Sequence, residues 1–388
     1  MNKILYIHHG TSQAGAPRSL SFLISNLDKK KLKPYVLCCF DEEGNRELFE
    51  GVGAEVYYEK YMGPWHGSTV SGMSLGTVKN NIKYLPFTYT NVIKHVKKIQ
   101  PDIVHINSTC LWIAAKAIKK YDHSIPIVCH VREPLLKGLW GNILRKGCNR
   151  YIDEYVAIEK FDAYSLGNTT KPVNIVYNFV DFDVYNSTVK SDRLREEFRL
   201  NQTDTVVLYL ARIAPSNGAL EMLDKLETYL KNNTNRHLFI VGIAPNSKDR
   251  YSAEVVNKAN AHSNMHILPF RNDVVELIAS SDIMVVPFQE PHFARSIIEA
   301  AAMGVPSVAS DIPGPQELII DGETGFLVDH RTFDGLDEKI ELLASDVELR
   351  ESMGKNAECF ARENFDAVKN SEKTFEIYRR LLTNMYRM

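Results

Sequence analysis

The six cysteines of this 388-residue chain (Cys38, Cys39, Cys110, Cys129, Cys148, Cys359) contain no C-x-x-C pair. The short-spaced zinc and redox frameworks are therefore missing, and cysteines lying mostly in apolar runs read as buried free thiols of a reducing compartment. No apolar stretch approaches the roughly 18 residues that a membrane helix needs. The opening MNKILYIHHG passes straight into a strand pattern without the apolar core of a secretory leader. There is no G-x-G-x-x-G fingerprint, no Walker lysine, no G-x-S-x-G elbow and no D-x-D that would hold a metal–diphosphate. No cysteine stands with a histidine and an asparagine in a nucleophile order. A strongly basic balance is lacking too: the formal net charge is −2 and the pI near 6.6, which argues against nucleic acid as a partner.

A chain of this length is divided between two domains, since single cores stop growing near 250–300 residues. The charge is uneven: residues 1–178 carry a balance of +8 and the remainder −10. Such asymmetry suits a first half that meets an anionic surface or substrate, and equally suits scatter between two solvated domains. Short β-branched runs alternate with amphipathic stretches, the pattern of parallel α/β sheets. Strands are expected at 3–9, 35–40, 55–58, 103–106, 125–130, 154–157 and 174–177. After a break at 178–205 they resume at 206–210, 237–241, 265–268, 283–286, 307–309 and 325–328. Helices are expected at 16–27, 88–99 and 365–382, the last with Val368, Phe375, Tyr378 and Leu382 on its apolar face. Residues 60–85 match neither period, and with Met62, Trp65, His66, Met73 and the turn formers Gly63, Pro64, Gly67, Gly72 and Gly76 they read as a functional loop.

The chemistry concentrates in residues 288–310. Glu290 and Glu299 bracket the start of a short helix whose first turn holds Arg295 and Ser296. A helix N-terminus offers free N–H groups and a partial positive charge to a phosphate, while carboxylates beside it accept sugar hydroxyls. The same spacing also suits a βαβ crossover whose alanine-rich helix only packs. His130 ends a strand in VCHVREP, with Arg132 and Glu133 behind it, and ligands of parallel sheets bind beyond such ends. His8 and His9 end the first strand, where hydrogen-bonded structural histidines are expected rather than a metal pair.

These segments resemble the family 4 glycosyltransferases, retaining enzymes of the GT-B fold. The donor signature is matched by Glu299, Ala300, Ala301, Gly304, Pro306 and 307–310. The loop LYLARIAPSNGAL resembles Gly-Arg-x-x-x-x-Lys-Gly through Arg212 and Gly218, with Asn217 at the lysine position. Gly15 and Ala16 resemble the first loop beneath the donor phosphates. Gly242 resembles the first glycine of a Gly-x-Gly-Pro turn whose second position here is Ala244. Gly314 and Glu317 sit in another nucleotide-side loop. Asn178, Val180 and Asp181 resemble the interdomain stretch. Glu290 stands one residue further from Glu299 than the family spacing, as though a residue were inserted at His292.

The resemblance implies two Rossmann-like domains facing each other across a cleft: 1–178 with 366–388, the last helix crossing back, and 179–365. It implies transfer of a sugar from a nucleotide sugar, with a UDP-sugar as the expected donor, to a hydroxyl with retention of configuration. His130, Glu290 and Arg212 are then catalytic. Gly15, Ala16, Arg212, Asn217, Gly242, Arg295, Ser296 and Glu299 bind the donor, and no metal or other cofactor is expected. The partners are the donor, a glycan or lipid-linked acceptor of surface polysaccharide synthesis, and an anionic membrane met by Lys79, Lys83, Lys94, Lys97 and Lys98. The expected place is the cytoplasm, peripheral to the inner face of the plasma membrane. A silent scaffold of the same fold and a nucleotide-sugar epimerase are the rival readings.

Overall fold

The computed structural model describes residues 1–10, 15–40, 42–68, 74–243 and 249–385. The chain divides into two compact units, Met1–Asn178 with Ala367–Met388, and Phe179–Asp366. In unit 1 the strands are β1 Asn2–His8, β2 Leu32–Cys38, β3 Glu55–Tyr58, β4 Ile103–Ile106, β5 Ile127–Val131, β6 Glu154–Ala157 and β7 Val173–Ile175. They form a parallel sheet in the order β3-β2-β1-β4-β5-β6-β7. Unit 2 holds β8 Thr205–Leu210, β9 Arg236–Ile243, β10 Met265–Pro269, β11 Ile283–Val286, β12 Ser307–Ser310 and β13 Gly325–Val328. Their order is β10-β9-β8-β11-β12-β13, again parallel.

Each order reverses once, beside β1 in unit 1 and beside β8 in unit 2. The first strand of each unit thus has an earlier-wound half on one side and a later-wound half on the other. Loops leaving the carboxyl ends at such a reversal splay apart and leave room for a ligand. Helices cover both faces, so the central strands are buried on both sides and read as unbroken apolar runs rather than alternating ones. The helix Ala219–Asn232 shows the complementary pattern: Met222, Leu223, Leu226 and Leu230 recur at three- and four-residue spacing and are buried against the sheet. Full burial of each such side chain is worth about 1.5–3 kcal/mol.

Three expectations are corrected here. The helix placed at 88–99 begins at Leu75 and runs to Ile99, so residues 75–85 are not loop. Ser74 caps it by accepting the N–H of Thr77 at 3.1 Å, and Pro86 sits inside it. Proline costs one hydrogen bond, but only one turn is disturbed. Met62 and Trp65 are buried in the unit 1 core rather than displayed, while Gly72 and Met73 lie outside the described residues. The last helix is Ala367–Met385, and it buries Phe375, Tyr378 and Leu382 but leaves Val368 65% exposed. Asp366 groups with unit 2 through the bridge Val180–Asp366.

Candidate functional site

At the carboxyl end of β8 the chain turns through Arg212 and a single 3-10 turn, Pro215–Asn217, into the helix Ala219–Asn232. Gly218 makes the turn with φ +69°, and a Cβ there would stand 1.8 Å from the carbonyl oxygen of Pro287. Only glycine lets the β8 loop lie directly on the β11 loop. Gly242 plays the same part on the other flank, with φ +127° and a Cβ position 2.2 Å from Ala211 O. Ala244 lies outside the described residues.

The contact made at Gly218 is reinforced by hydrogen bonds. Ser216 O accepts the N–H of Gln289 at 2.9 Å and that of Glu290 at 3.3 Å. Gln289 donates its side-chain amide to His330 O at 2.8 Å. Glu290 is thereby fixed beside the Arg212 loop with its carboxylate exposed. Arg212 is likewise exposed, and its guanidinium makes no hydrogen bond or ion pair among the described residues. An unpaired cation and an acidic side chain on two loops sewn together are what a diphosphate and a sugar hydroxyl would need.

Asn217 is arranged otherwise than expected. Its side-chain amide donates to Arg212 O at 2.8 Å, Ser216 Oγ donates to its Oδ1 at 3.3 Å, and the residue is 5% exposed. Tyr209 OH donates to the same Arg212 carbonyl at 3.0 Å. The residue at the family's lysine position therefore turns inward and braces the loop that presents Arg212. An inward amide cannot neutralise a ligand's charge.

The helix Arg295–Ala302 begins without a side-chain cap. Its N-terminal N–H groups stay available to an anion. Arg295, expected on the leaving diphosphate, instead reaches along the helix to Glu299, with Nε and one terminal nitrogen 3.3 and 3.2 Å from Oε1. Glu299 is 8% exposed, so the two expected donor residues hold each other in one pose. Ser296 is buried beside them. His292, at the extra position, folds the loop back: its ring stacks on Phe288 with centroids 4.1 Å apart, and Nδ1 lies 2.8 Å from Glu290 O. Burial, opposed by that carbonyl and aided by the Arg212 charge, lowers its pKa to about 4. The inserted residue is thus a neutral clip under Glu290. Ser310, ending β12 nearby in the sheet, is fully buried with its hydroxyl unpartnered among the described residues. Gly314 and Glu317 lie at the short helix Pro315–Leu318 that follows β12.

In unit 1, the ends of β1, β4 and β5 share a buried polar network. Arg132 Nε donates to Asn107 Oδ1 at 2.9 Å, and its two terminal nitrogens lie 3.3 Å from Asn178 Oδ1 and from His130 Nδ1. A guanidinium can only donate, so His130 Nδ1 accepts and its proton sits on Nε2. His105 Nε2, 3.2 Å from the same Nδ1, must then be the donor, and His105 Nδ1 accepts from Tyr378 OH at 2.5 Å. Arg132 thus sets the tautomer of His130, and through it the tautomer of His105 and the donor role of the Tyr378 hydroxyl on the last helix, a relation invisible at separations of this length. Burial, then the Arg132 charge, holds the His130 pKa well below its ordinary value, and the same two causes bring His105 to about 3. Both rings are neutral at pH 7.

Gly15 and Ala16 open the helix Gly15–Ser25, and Ala16 O accepts from Asn107 Nδ2 at 3.3 Å. Residues 11–14 of the first loop lie outside the described residues. The chain does carry a D-x-D triplet, Asp181-Phe182-Asp183, and it forms a local turn in which Asp181 Oδ1 accepts the Asp183 N–H at 2.9 Å. His9 stands 5.5 Å, ring to ring, from His66.

Known proteins account for both halves. A model described as Glycosyltransferase Family 4 matches residues 14–184, and one described as Glycosyl transferases group 1 matches 190–359. The chain is 25% identical over 221 residues to N-acetyl-alpha-D-glucosaminyl L-malate synthase of Bacillus anthracis, covering 56% of each. It is 29% identical over 204 residues to a Campylobacter jejuni N,N'-diacetylbacillosaminyl-diphospho-undecaprenol alpha-1,3-N-acetylgalactosaminyltransferase, covering 53% of this chain and 52% of that one. The chain thus spans about half the length of these curated relatives. Among solved structures, Anabaena HepE in complex with UDP-glucose superposes with a TM-score of 0.79 at 21% identity over 98% of this chain and 100% of that one. A glycosyltransferase from Rickettsia africae gives 0.82 at 19% identity over 99% of both. At such identity these structures speak for the GT-B fold alone. With each half matched by a glycosyltransferase model and the whole sharing that fold, the chain belongs to the family 4 glycosyltransferases.

Proposed function

We propose that the protein transfers a sugar from a nucleotide-sugar donor, with UDP as its nucleotide, to a hydroxyl of a glycan or lipid-linked acceptor with retention of configuration. The observation that carries this is the stitched pair of loops in unit 2, where the guanidinium of Arg212, unpaired among the described residues, and the exposed carboxylate of Glu290 are held together by Ser216 O. The uncapped helix at Arg295 completes the set on the sheet's carboxyl edge. UDP-bound neighbours of the same fold and relatives named for diphospho-undecaprenol acceptors support the donor and acceptor classes.

In this reading Arg212 and the helix N-terminus take up charge as it grows on the leaving diphosphate, where fixed donors count most. Glu299 accepts the ribose hydroxyls, and Glu290 accepts a sugar hydroxyl. His130 offers its Nε2–H to a substrate oxygen. The acceptor hydroxyl gives its proton to a phosphate oxygen of the donor as the anomeric C–O bond breaks, and the new bond forms on the same face. No protein nucleophile and no metal is assigned to the step. Screening nucleoside diphosphates and their sugars by thermal shift tests the donor class, since a bound donor raises apparent stability by mass action. No shift with any of them would refute it.

The acceptor class carries a location. No helix among the described residues is long and apolar enough to cross a membrane. The helix Leu75–Ile99, however, exposes Leu75, Ile82 and Phe87 to 88, 56 and 47%, interleaved with exposed Lys79 and Lys83. An apolar face edged with lysine suits shallow contact with anionic lipid. Of the other expected lysines, Lys94 pairs with Glu59, while Lys97 and Lys98 lie over Tyr121 and Tyr57.

A further inference from the structure

His9, His66 and Cys110 come from three separate segments: the residue after β1, the loop 61–68, and the 3-10 turn Thr109–Leu111 beyond β4. One ligand atom from each lies within 4.8 Å of the other two. Nothing in the expected chemistry of the transferase uses them. Each is held independently. Asn107 N–H donates to Ile7 O at 2.9 Å, fixing the end of β4 beside the end of β1, and Trp65 N–H donates to Cys110 O at 2.8 Å, tying the residue before His66 to the turn that bears the thiol.

Two features favour a ligand at this point. Among the described residues His9 Nδ1 is buried without a hydrogen-bond partner, a state that costs roughly 1–3 kcal/mol when nothing fills it. The Cys110 residue is 3% exposed, with its sulfur within 4.8 Å of a ring nitrogen of both His9 and His66. Both imidazoles keep a lone pair for a metal. A cysteine and two neutral imidazoles form a nitrogen–sulfur set that suits zinc and its neighbours rather than magnesium or calcium.

We propose that His9, His66 and Cys110 form a site for a zinc-class divalent cation, with three protein ligands and a fourth position open, that clamps the loop 61–68 onto the ends of β1 and β4. Binding exchanges the thiol proton for the metal: the S–H bond breaks, a sulfur–metal bond forms, and one proton leaves to solvent. The site then carries one net positive charge beside the Arg132 cation and the Glu133 carboxylate, which interact electrostatically with His9 and Cys110 respectively. Metal–nitrogen and metal–sulfur bonds of about 2.1 and 2.3 Å set ligand–ligand edges of roughly 3.5 Å, so the three atoms close by about 1 Å on binding. His66, on a segment outside helix and sheet, can supply that movement. The clamp would hold the loop at the carboxyl ends of β1 and β4.

The full chain, stripped with a chelator and titrated with Co²⁺, reads the site without any assay of sugar transfer. One equivalent is expected, with intense tetrahedral visible bands and a sulfur charge-transfer band in the near ultraviolet. Zn²⁺ should bleach both. Cys110→Ser should remove the charge-transfer band, and His66→Ala, on the loop, should lower affinity at least tenfold while keeping the melting temperature of the metal-free chain. Should Cys110→Ser fail to fold, His66→Ala and His9→Gln still decide the question. Octahedral cobalt spectra, less than half an equivalent bound at micromolar metal, or equal affinity in His66→Ala and the parent chain would each overturn the proposal.

Discussion

Asn217 donates its side-chain amide to the carbonyl oxygen of Arg212 at 2.8 Å, so the residue standing where the family carries a cation is a brace for the neighbouring cation. The sugar-nucleotide chemistry of this loop then rests on Arg212 alone. Asn217→Ala should cost about 0.5–1.5 kcal/mol in chemical denaturation, because Arg212 O loses one of its two donors and keeps Tyr209 OH. Asn217→Lys should cost at least as much, since it puts a charge where an amide was buried. A lysine variant with higher turnover and unchanged stability would show instead that the side chain faces the diphosphate.

Arg212 is exposed and unpaired among the described residues, so removing it should leave the fold intact and weaken phosphate binding. Calorimetry with UDP and with uridine separates the two. Arg212→Ala should weaken UDP by about 1.5–3 kcal/mol, the value of a hydrogen bond to a charged group, and leave uridine unchanged. Equal losses for both ligands would place the residue away from phosphate.

Glu299 holds Arg295 at 3.2 Å and is assigned the ribose hydroxyls. Glu299 is buried, and Glu299→Gln keeps its shape and an accepting oxygen while removing the charge that Arg295 pairs with, so the fold should remain with a stability loss of at most about 1.5–3 kcal/mol. Donor KM should rise about tenfold, the equivalent of about 1.4 kcal/mol. Unchanged kinetics with a competent donor would remove Glu299 from the site.

The neutral histidines give unit 1 a pH signature. His105 has its pKa lowered by burial and by Arg132 to about 3, and His9 falls as far. Unfolded histidines take up protons near pH 6.5, whereas these folded ones do not until about pH 3. Between those values the unfolded chain binds more protons, so stability is full above about pH 6.5 and falls as pH drops toward 3. Each such group contributes a slope of roughly 1.4 kcal/mol per pH unit. Denaturation at pH 7, 6 and 5 should show the loss, and His105→Gln should lessen the slope by about one group. A flat profile would mean that these rings protonate in the fold.

Much of the fold is legible because parallel strands covered on both faces leave continuous β-branched runs: Ile103–Ile106, Glu154–Ala157, Ile283–Val286 and Gly325–Val328 begin and end where the sequence places them. The start of the helix at Leu75 is not, because Pro86 interrupts the pattern while packing elsewhere sustains the turn. The site divides in the same way. Arg212, Gly218 and the stretch around Glu290 stand out through local spacing and fall on touching loops. The inward turn of Asn217 is set by the Arg212 carbonyl, the fold at His292 by Phe288, and the His130 tautomer by Arg132. The three residues His9, His66 and Cys110 meet only because β1 and β4 are neighbours in the sheet. Side-chain direction and long-range contact are tertiary properties that spacing does not encode.

The exposed face of the helix Leu75–Ile99 can be tested with vesicles. Each lysine near anionic lipid adds at most about 1 kcal/mol, and salt screens it. Sedimentation with phosphatidylserine vesicles should show binding at low salt that is lost at high salt and in Lys79→Glu/Lys83→Glu. Absence of binding at low salt would remove the membrane from the account.

Sugar transfer with retention is decided most directly by proton NMR of the product formed from an alpha-linked UDP-sugar and an acceptor bearing a free hydroxyl. The one-bond and vicinal couplings of the new anomeric proton report its configuration. An alpha-linked glycoside, formed by the parent chain and lost in Arg212→Ala, is the expected result. A beta-linked product would contradict retention, and free sugar with no glycoside at all, equally produced without acceptor, would contradict transfer itself.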